Sequence, residues 1–479
     1  MNRIALMLLP LLASCVFAQD GITRGDALRR REFQTYGTVS LFVDPAGNDS
    51  NACTSSGAAN ACLTVQGALD KLPRIIRHAV TVSVAAGTYA GFVVGDRVFS
   101  PAGTGSNPTG SITVAGSKRN ATPTTGTATG TLTGVSGSSS SGTTVLIDSG
   151  QTWTVSDPIL DGAYVRITSG VQSGQTRAIV RNGSTTLEVY PALFPTPSVS
   201  DTYVIEVPAV ILNSGVIVRA MPHLNVVFTD LEIQSNSSSS AAFTSQGNLT
   251  TATLNGVRAY NTSTSVAVNV GRGASTSLTS GPLVAKASGG TALIASQSFA
   301  TNGGVYAWSV TSTAARIIQS NSPNGTGGTW LSLYARTDAA NQIAADIQQL
   351  ASTSSGSTLA TLYVRCGSTT GTTGLALTGT GGQLTLYAFS DGCSTGFNVG
   401  TPQQTYMMSG GQFAPSTLSC TTAATCVTVA SGGRAKIPVP VLSSVTNAYN
   451  IDGVNYSEAT FAALSPPRIV GSNLSVLER

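Results

Sequence analysis

Charged residues make up only 10% of this 479-residue chain, against about 25% in an ordinary globular domain. Acids are scarcest in the middle. Between Ile233 and Thr337 there is no Asp or Glu, although Arg258, Arg272, Lys286, Arg316 and Arg336 fall in that stretch. A carboxylate-based catalytic centre cannot be drawn from it, and a mild positive face can. The net charge of +4 is too small to argue for nucleic acid. Histidine is limited to His78 and His223 and no Cys-x-x-Cys occurs, so no metal site is expected. The sequence also lacks GxSxG, a phosphate-binding glycine loop and any apolar run long enough to span a bilayer. No cofactor is implied.

What remains is a chain of Val, Thr, Ile, Leu, Ser and Gly. With 41% hydrophobic residues and little charge it must fold, and with few Glu or Lys it favours strands and tight turns over helices. From about Val226 to Val429 short β-type runs recur with a loose period. Aligned on Leu231, Val257, Val284, Tyr306, Tyr334, Tyr363 and Tyr387, they are separated by 26, 27, 22, 28, 29 and 24 residues. Each run is too short and too apolar to hide its own surface, so it must stack on the next copy. That is the signature of a solenoid.

Residues 1–18 read as a signal peptide: a cation at Arg3, an apolar core from Ile4 to Leu12, then small residues. Two processing routes stay open. Val16-Phe17-Ala18 before Gln19 suits ordinary cleavage, whereas Leu12-Ala13-Ser14-Cys15 resembles a bacterial lipobox that would leave Cys15 lipidated. Residues 19–38 are a polar lead-in. The protein is thus expected to be exported, either secreted or held at the cell surface, with lipid anchoring in a bacterial outer membrane as one form. Six cysteines follow the leader, and an even number in an exported chain suggests disulfides. Neighbouring pairs are the simplest scheme: Cys53 with Cys62, Cys366 with Cys393 and Cys420 with Cys426. The middle pair is 27 residues apart, about one coil.

Order begins in a segment, 39–117, expected to hold the N-terminal cap and first coils. Val39 to Val43 forms a strand. The loop Asp44 to Asn51 carries four Asx residues; calcium binding is conceivable there, but the ligands lack the alternate spacing of a calcium loop, and closure of backbone turns is expected instead. Thr64 opens a helix whose Val65, Ala68, Leu69 and Leu72 share one face. The series Leu41-Phe42-Val43-Asp44-Pro45, Cys62-Leu63-Thr64-Val65-Gln66-Gly67-Ala68-Leu69 and Val82-Ser83-Val84-Ala85-Ala86-Gly87-Thr88-Tyr89 resembles the N-terminal opening of right-handed parallel β-helix proteins of the pectin-lyase-like superfamily. There a capping helix precedes a strand ending in a Gly-Thr-Tyr turn. The resemblance covers about 50 residues and implies an all-β, right-handed parallel β-helix with an N-terminal capping helix.

In residues 118–207 the pattern changes to alternating strands joined by Gly- and Asn-rich turns, as at Asn182-Gly183. The acids gather here: Asp148, Asp157, Asp161, Glu188, Asp201 and Glu206. A small antiparallel β-module inserted between two coils is the economical reading. The main β-helix is expected over 208–431, and a Pro-richer cap or tail over 432–479.

The superfamily contains polysaccharide lyases and hydrolases, but the Gly-His-Gly, Arg-Ile-Lys and Gly-Arg-Pro-Trp signatures of its enzymes are absent here. The best carboxylate pair is Asp230 and Glu232, two apart and so on one face of a strand, with Arg219 or Arg258 beside them. Asp338 and Asp346 read as turn residues. Tyr306, Tyr334, Tyr363 and Tyr387 recur at coil spacing, with Trp308 and Trp330 nearby. Facing out, these rings would make a platform for sugars; facing in, a core stack, which their apolar flanks favour. The residues point first to a surface or matrix protein with a structural, adhesive or glycan-binding role, its partner a polysaccharide or cell-surface glycan. The alternatives are a polysaccharide lyase or glycoside hydrolase with a non-standard site and a tailspike-like receptor-binding protein.

Overall fold

The structure, a computed structural model, describes residues 34–478 except 96–97, 100–109, 138–141, 220–223, 248–249, 272–273, 279–280, 297–298, 302–303, 320–328, 350–357, 380–381, 401–402, 408–417, 430–432, 437–440, 458, 461–462, 464–467 and 471–475. The leader, most of the lead-in and Cys15 lie outside the described residues. The chain is a parallel β-helix carrying an inserted antiparallel sheet.

From Thr329 to Asp391 the first two strands of a coil run on as one, as in Thr329–Thr337; most earlier coils keep three short strands. In the coil opening at Asn225 these are Asn225–Thr229, Leu231–Ser235 and Phe243–Gln246, which define a first, second and third face. Every strand pairs in parallel with its counterpart one coil on: Val226 with Ala252, Glu232 with Arg258, Phe243 with Val268. Alternate residues therefore point into the lumen. On the second face Val257, Leu283, Val305 and Leu333 stack as one inward ladder, and Ala259, Ala285, Ala307 and Ala335 as the next, all fully buried. Like sits on like, so successive coils need the same volume.

In three coils the corner between first and second faces is a single left-handed residue, Asp230 (φ 55°), Gly256 (φ 64°) or Gly304 (φ 79°). Only Gly, Asn and Asp adopt that conformation at little cost. One corner is different. Between the first-face strand Ser111–Ala115 and the strand Val210–Arg219, which runs from the second face onto the third, the chain leaves the solenoid for an eight-stranded antiparallel sheet running from Lys118 to Pro208. This module has its own core, in which Leu146, Trp153, Val165, Ile179, Val189 and Ile205 are buried.

At the N-terminal end helix α1 (Val65–Asp70) buries Val65, Ala68 and Leu69 against the first coils. The Thr64 hydroxyl caps it by accepting from the Gly67 amide at 2.9 Å. The Asx loop works by backbone closure: Asp44 accepts from the Ala46 amide, Asn48 from Ser50, and Asp49 from both Leu63 and Thr64. Gly87-Thr88-Tyr89 opens the strand Gly87–Val94 instead of ending the one before it, and the buried Tyr89 hydroxyl donates to the Ala85 carbonyl at 2.8 Å.

Three disulfides join Cys53 to Cys62, Cys366 to Cys393 and Cys420 to Cys426, with Cα separations of 5.1, 4.9 and 5.7 Å. The second joins neighbouring coils, as its separation of 27 residues predicts. Cys366 ends a second-face strand, and Cys393 follows the second-face strand one coil on. No helix among the described residues is long and apolar enough to cross a membrane.

Candidate functional site

The site grows from the outward residues of the second face. Because Leu333 and Ala335 point inward, Tyr334 between them must point out, and the register carries this up and down the solenoid. One outward ladder runs Glu232, Arg258, Val284, Tyr306, Tyr334, Tyr363 and Phe389. A second, two residues on, runs Gln234, Tyr260, Lys286, Trp308, Arg336, Arg365 and Asp391 along the same rungs. Tyr387 is not on the ladder. It pairs with Thr361, while Phe389 takes the place opposite Tyr363. The side chains of Tyr387 and Trp330 lie outside the described residues.

Tyr306, Tyr334 and Tyr363 therefore do not form the core stack that their apolar flanks suggested, nor do Tyr306 and Tyr334 form an open platform. They face away from the lumen and are buried by the module, whose Tyr164, Ala178, Val180 and Tyr190 pack on Val284, Tyr306 and Tyr334. Tyr190 meets Tyr334 edge-on at 5.6 Å between centroids, and its hydroxyl lies 2.9 Å from that of Ser332. Tyr334 in turn stands edge-on to Tyr306 at 5.4 Å and stacks on Tyr363 at 4.7 Å. Such pairs add about 0.5–1.5 kcal/mol each beyond their burial.

Charge completes the seam. The module's Asp161 accepts from the Tyr306 hydroxyl at 2.9 Å and pairs with Arg336 at 3.1 Å. Glu188 pairs with Arg365 at 3.7 Å, and Lys118 with Asp230 at 3.1 Å. Burial raises the Asp161 carboxyl to about 6 against the opposing pull of Arg336 and Tyr306. Burial likewise lowers the Lys286 ammonium and raises the Glu188 carboxyl. Clusters of shifted groups of this kind mark functional sites and ion-pair networks alike.

Asp230 and Glu232 do not share one face of a strand. Asp230 is the left-handed corner residue and sits beside Lys118, off the strand. Glu232 lies on the strand under the module, 3.3 Å from Arg258 and accepting from the Gln234 amide at 2.6 Å. Arg258 is the expected neighbour; Arg219 ends a strand on the third face. Asp346 is not a turn residue either. It is buried in the strand Ile343–Gln349 and pairs with Arg316 of the preceding rung at 3.2 Å.

What stays half-exposed is the second ladder, along the module's flank, with Tyr363 and Phe389 at the end of the first. There Lys286 places its ammonium 3.7 Å from the Trp308 ring centre, and the Arg336 guanidinium lies 4.5 Å from the same ring, so the indole sits between cations of the rungs on either side. The Trp308 indole N–H is fixed by Asp338 at 2.7 Å. Tyr260 extends the strip one rung further, its hydroxyl raised to about 12 by burial. Flat rings alternating with cations can hold rings that carry negative charge. Among the described residues no three His, Cys, Asp or Glu side chains converge to hold a metal.

Asp161, Glu188, Lys286 and Arg336 were not singled out by sequence as one site. The signal was there: acids gathered in the insertion, cations in the acid-free stretch that it covers.

Fold and site together define a parallel β-helix whose inserted β-module is docked on one lateral face. No family model and no curated protein matches the chain. Among solved structures it is similar to a "Glycoside hydrolase" at 8% identity, TM-score 0.23, covering 87% of this chain and 97% of that one. It is also similar to the tailspike gp61 of Pseudomonas phage phi297, at 10% identity and TM-score 0.20, over 86% and 77% of the two chains. The tailspike gp49 of Pseudomonas phage LKA1 follows at 11% and 0.20, over 78% and 70%.

Proposed function

We propose that this is an exported, non-catalytic β-helix that holds an anionic polysaccharide along the flank of its module. The observation that carries the reading is the half-exposed strip Tyr260, Lys286, Trp308 and Arg336, one side chain per rung. Rungs repeat every ~4.8 Å, close to the rise of one sugar along an extended chain, so ring and cation alternate in step with a polymer lying parallel to the solenoid axis. Export is supported by the leader-like residues 1–18 and by three disulfides, which persist in oxidising compartments.

The test is a glycan array run beside a reducing-sugar and unsaturated-product screen on the same sample. Binding of uronate or sulfated polymers without turnover is the expected result. Turnover would favour the second reading, a lyase or hydrolase, for which the raised Asp161 beside Tyr306 and Arg336 is the supporting observation. Asp161 is only 4% exposed, which is why binding is preferred. Capture of an intact cell-surface glycan alone would fit a tailspike-like receptor-binding role.

A further inference from the structure

A second anion-ready site lies away from the strip. Between α1 and the ends of the first two coils is a cleft of about 360 Å³, large enough for one or two sugar rings. Leu72 and Val93 give it apolar surface, Gln66 and Asp70 line the helix side, and Arg74 and Arg219 reach it from the turn after α1 and the end of Val210–Arg219. Both arginines are exposed, and neither has an ion pair or hydrogen bond among the described residues. Every other solenoid arginine named above, apart from the undescribed Arg272, is matched by a carboxylate.

The helix side of the cleft is held rigid. The Gln66 amide donates to Asp70 at 2.8 Å and accepts from the Val93 amide at 3.0 Å, so both of its ends are fixed. Gly95 keeps the opposite side open: a Cβ there would stand 3.2 Å from the Cγ of Arg219. Two cations facing one carboxylate leave a net positive cleft. Asp70 repels a bare, highly charged anion, yet it can accept from a hydroxyl. Apolar surface suits a ring face.

We propose that this cleft binds a single anionic sugar unit, its carboxylate or sulfate ester held by Arg74 and Arg219 and a hydroxyl by Asp70. The proposal rests on the glycan reading in taking a sugar as the carrier of the charge, but on none of the strip's residues.

The experiment is calorimetric titration of the full chain with a galacturonate trisaccharide, a sulfated disaccharide and inorganic phosphate. At least one of the two sugars should bind, and phosphate more weakly. Arg74→Ala with Arg219→Ala should weaken sugar binding about tenfold or more without moving the unfolding temperature. Gly95→Val, which crowds Arg219, should act in the same direction. Trp308→Ala should leave short-sugar binding intact while lowering polymer affinity; if polymer affinity does not fall, the strip reading fails and the cleft stands. The cleft proposal is overturned if neither sugar binds, if phosphate binds as well as the sugars, or if the double variant binds like the wild type.

Discussion

The second and third faces of the solenoid are both ladders of parallel strands stacked coil on coil, yet their outward residues differ. On the third face the outward residues run Thr244, Asn269, Ile294, Arg316, Asp346, Ala376 and Asn398. On the second they run Glu232, Arg258, Val284, Tyr306, Tyr334, Tyr363 and Phe389. Of these two ladders, only the one under the module carries a run of aromatic rings. The lumen does not require them: among the described inward residues of both faces on these rungs the rings are Phe243 and Phe397, and the rest are aliphatic or small and polar, such as Ser245 and Ser390. The difference shows that the rings belong to docking, and that the module is a packed part of the structure.

The largest disturbance follows from removing the cover. Deleting residues 117–209 joins Gly116 directly to Val210, the spacing of Thr229-Asp230-Leu231 in the next coil. The solenoid should still form, but Val284, Tyr306 and Tyr334 would lie bare, each tyrosine exposing up to roughly 150–250 Å². Strong binding of a hydrophobic dye and association on size exclusion are expected. A monomeric, dye-silent product would mean the rings are not docking residues. Smaller in scale, Tyr334→Ala should cost about 3–5 kcal/mol in chemical unfolding, while Asn269→Ala on the uncovered face should stay within about 0.5 kcal/mol.

Acidity tunes the same seam. The folded value of Asp161, about 6, stands above its ordinary 3.8, so folding favours its protonated form. Its contribution is therefore full below about 4 and is lost as pH rises through about 6. Two units correspond to roughly 3 kcal/mol. Unfolding followed between pH 4 and 7 should show this component in the wild type, and Asp161→Asn should flatten it. An unchanged slope in that variant would place the titration elsewhere.

Much of this was legible beforehand. Period, capping helix, insertion and disulfide partners all rest on local signals: Thr64 before an apolar face, Cys366 and Cys393 one coil apart, turn residues between alternating strands. The orientation of the rings was legible too, had alternation been weighed above flanking apolarity, because Leu333-Tyr334-Ala335-Arg336 sets Tyr with Arg. What could not be read was the partner. Tyr306 and Arg336 meet Asp161 across 145 and 175 residues of chain, and only the way the module folds back fixes which acid meets which cation. Unequal loops also hid the register, so that Tyr387 aligned by type where Phe389 aligns by pairing. Asp230 failed for a third reason: a one-residue corner breaks the alternation that would have set it beside Glu232.

The smallest effect on folding should carry the clearest functional signal. Trp308 lies at the edge of the seam, half-exposed, with Lys286 and Arg336 against its ring and Asp338 on its indole N–H. Removing it spares the Tyr306 and Tyr334 contacts with the module, so Trp308→Ala should cost no more than about 2 kcal/mol of stability, much of it lost cation–π attraction. If the strip holds an anionic polymer, the ring positions the two cations that meet it. Affinity for that polymer should then fall about tenfold, or ~1.4 kcal/mol. Lys286→Gln should instead leave the ring and Arg336 in place and reduce the salt dependence of binding. A loss of affinity in both variants with unfolding nearly unchanged separates recognition from docking on this face. Equal losses of stability and affinity would mean that the second ladder, like the first, serves only to hold the module down.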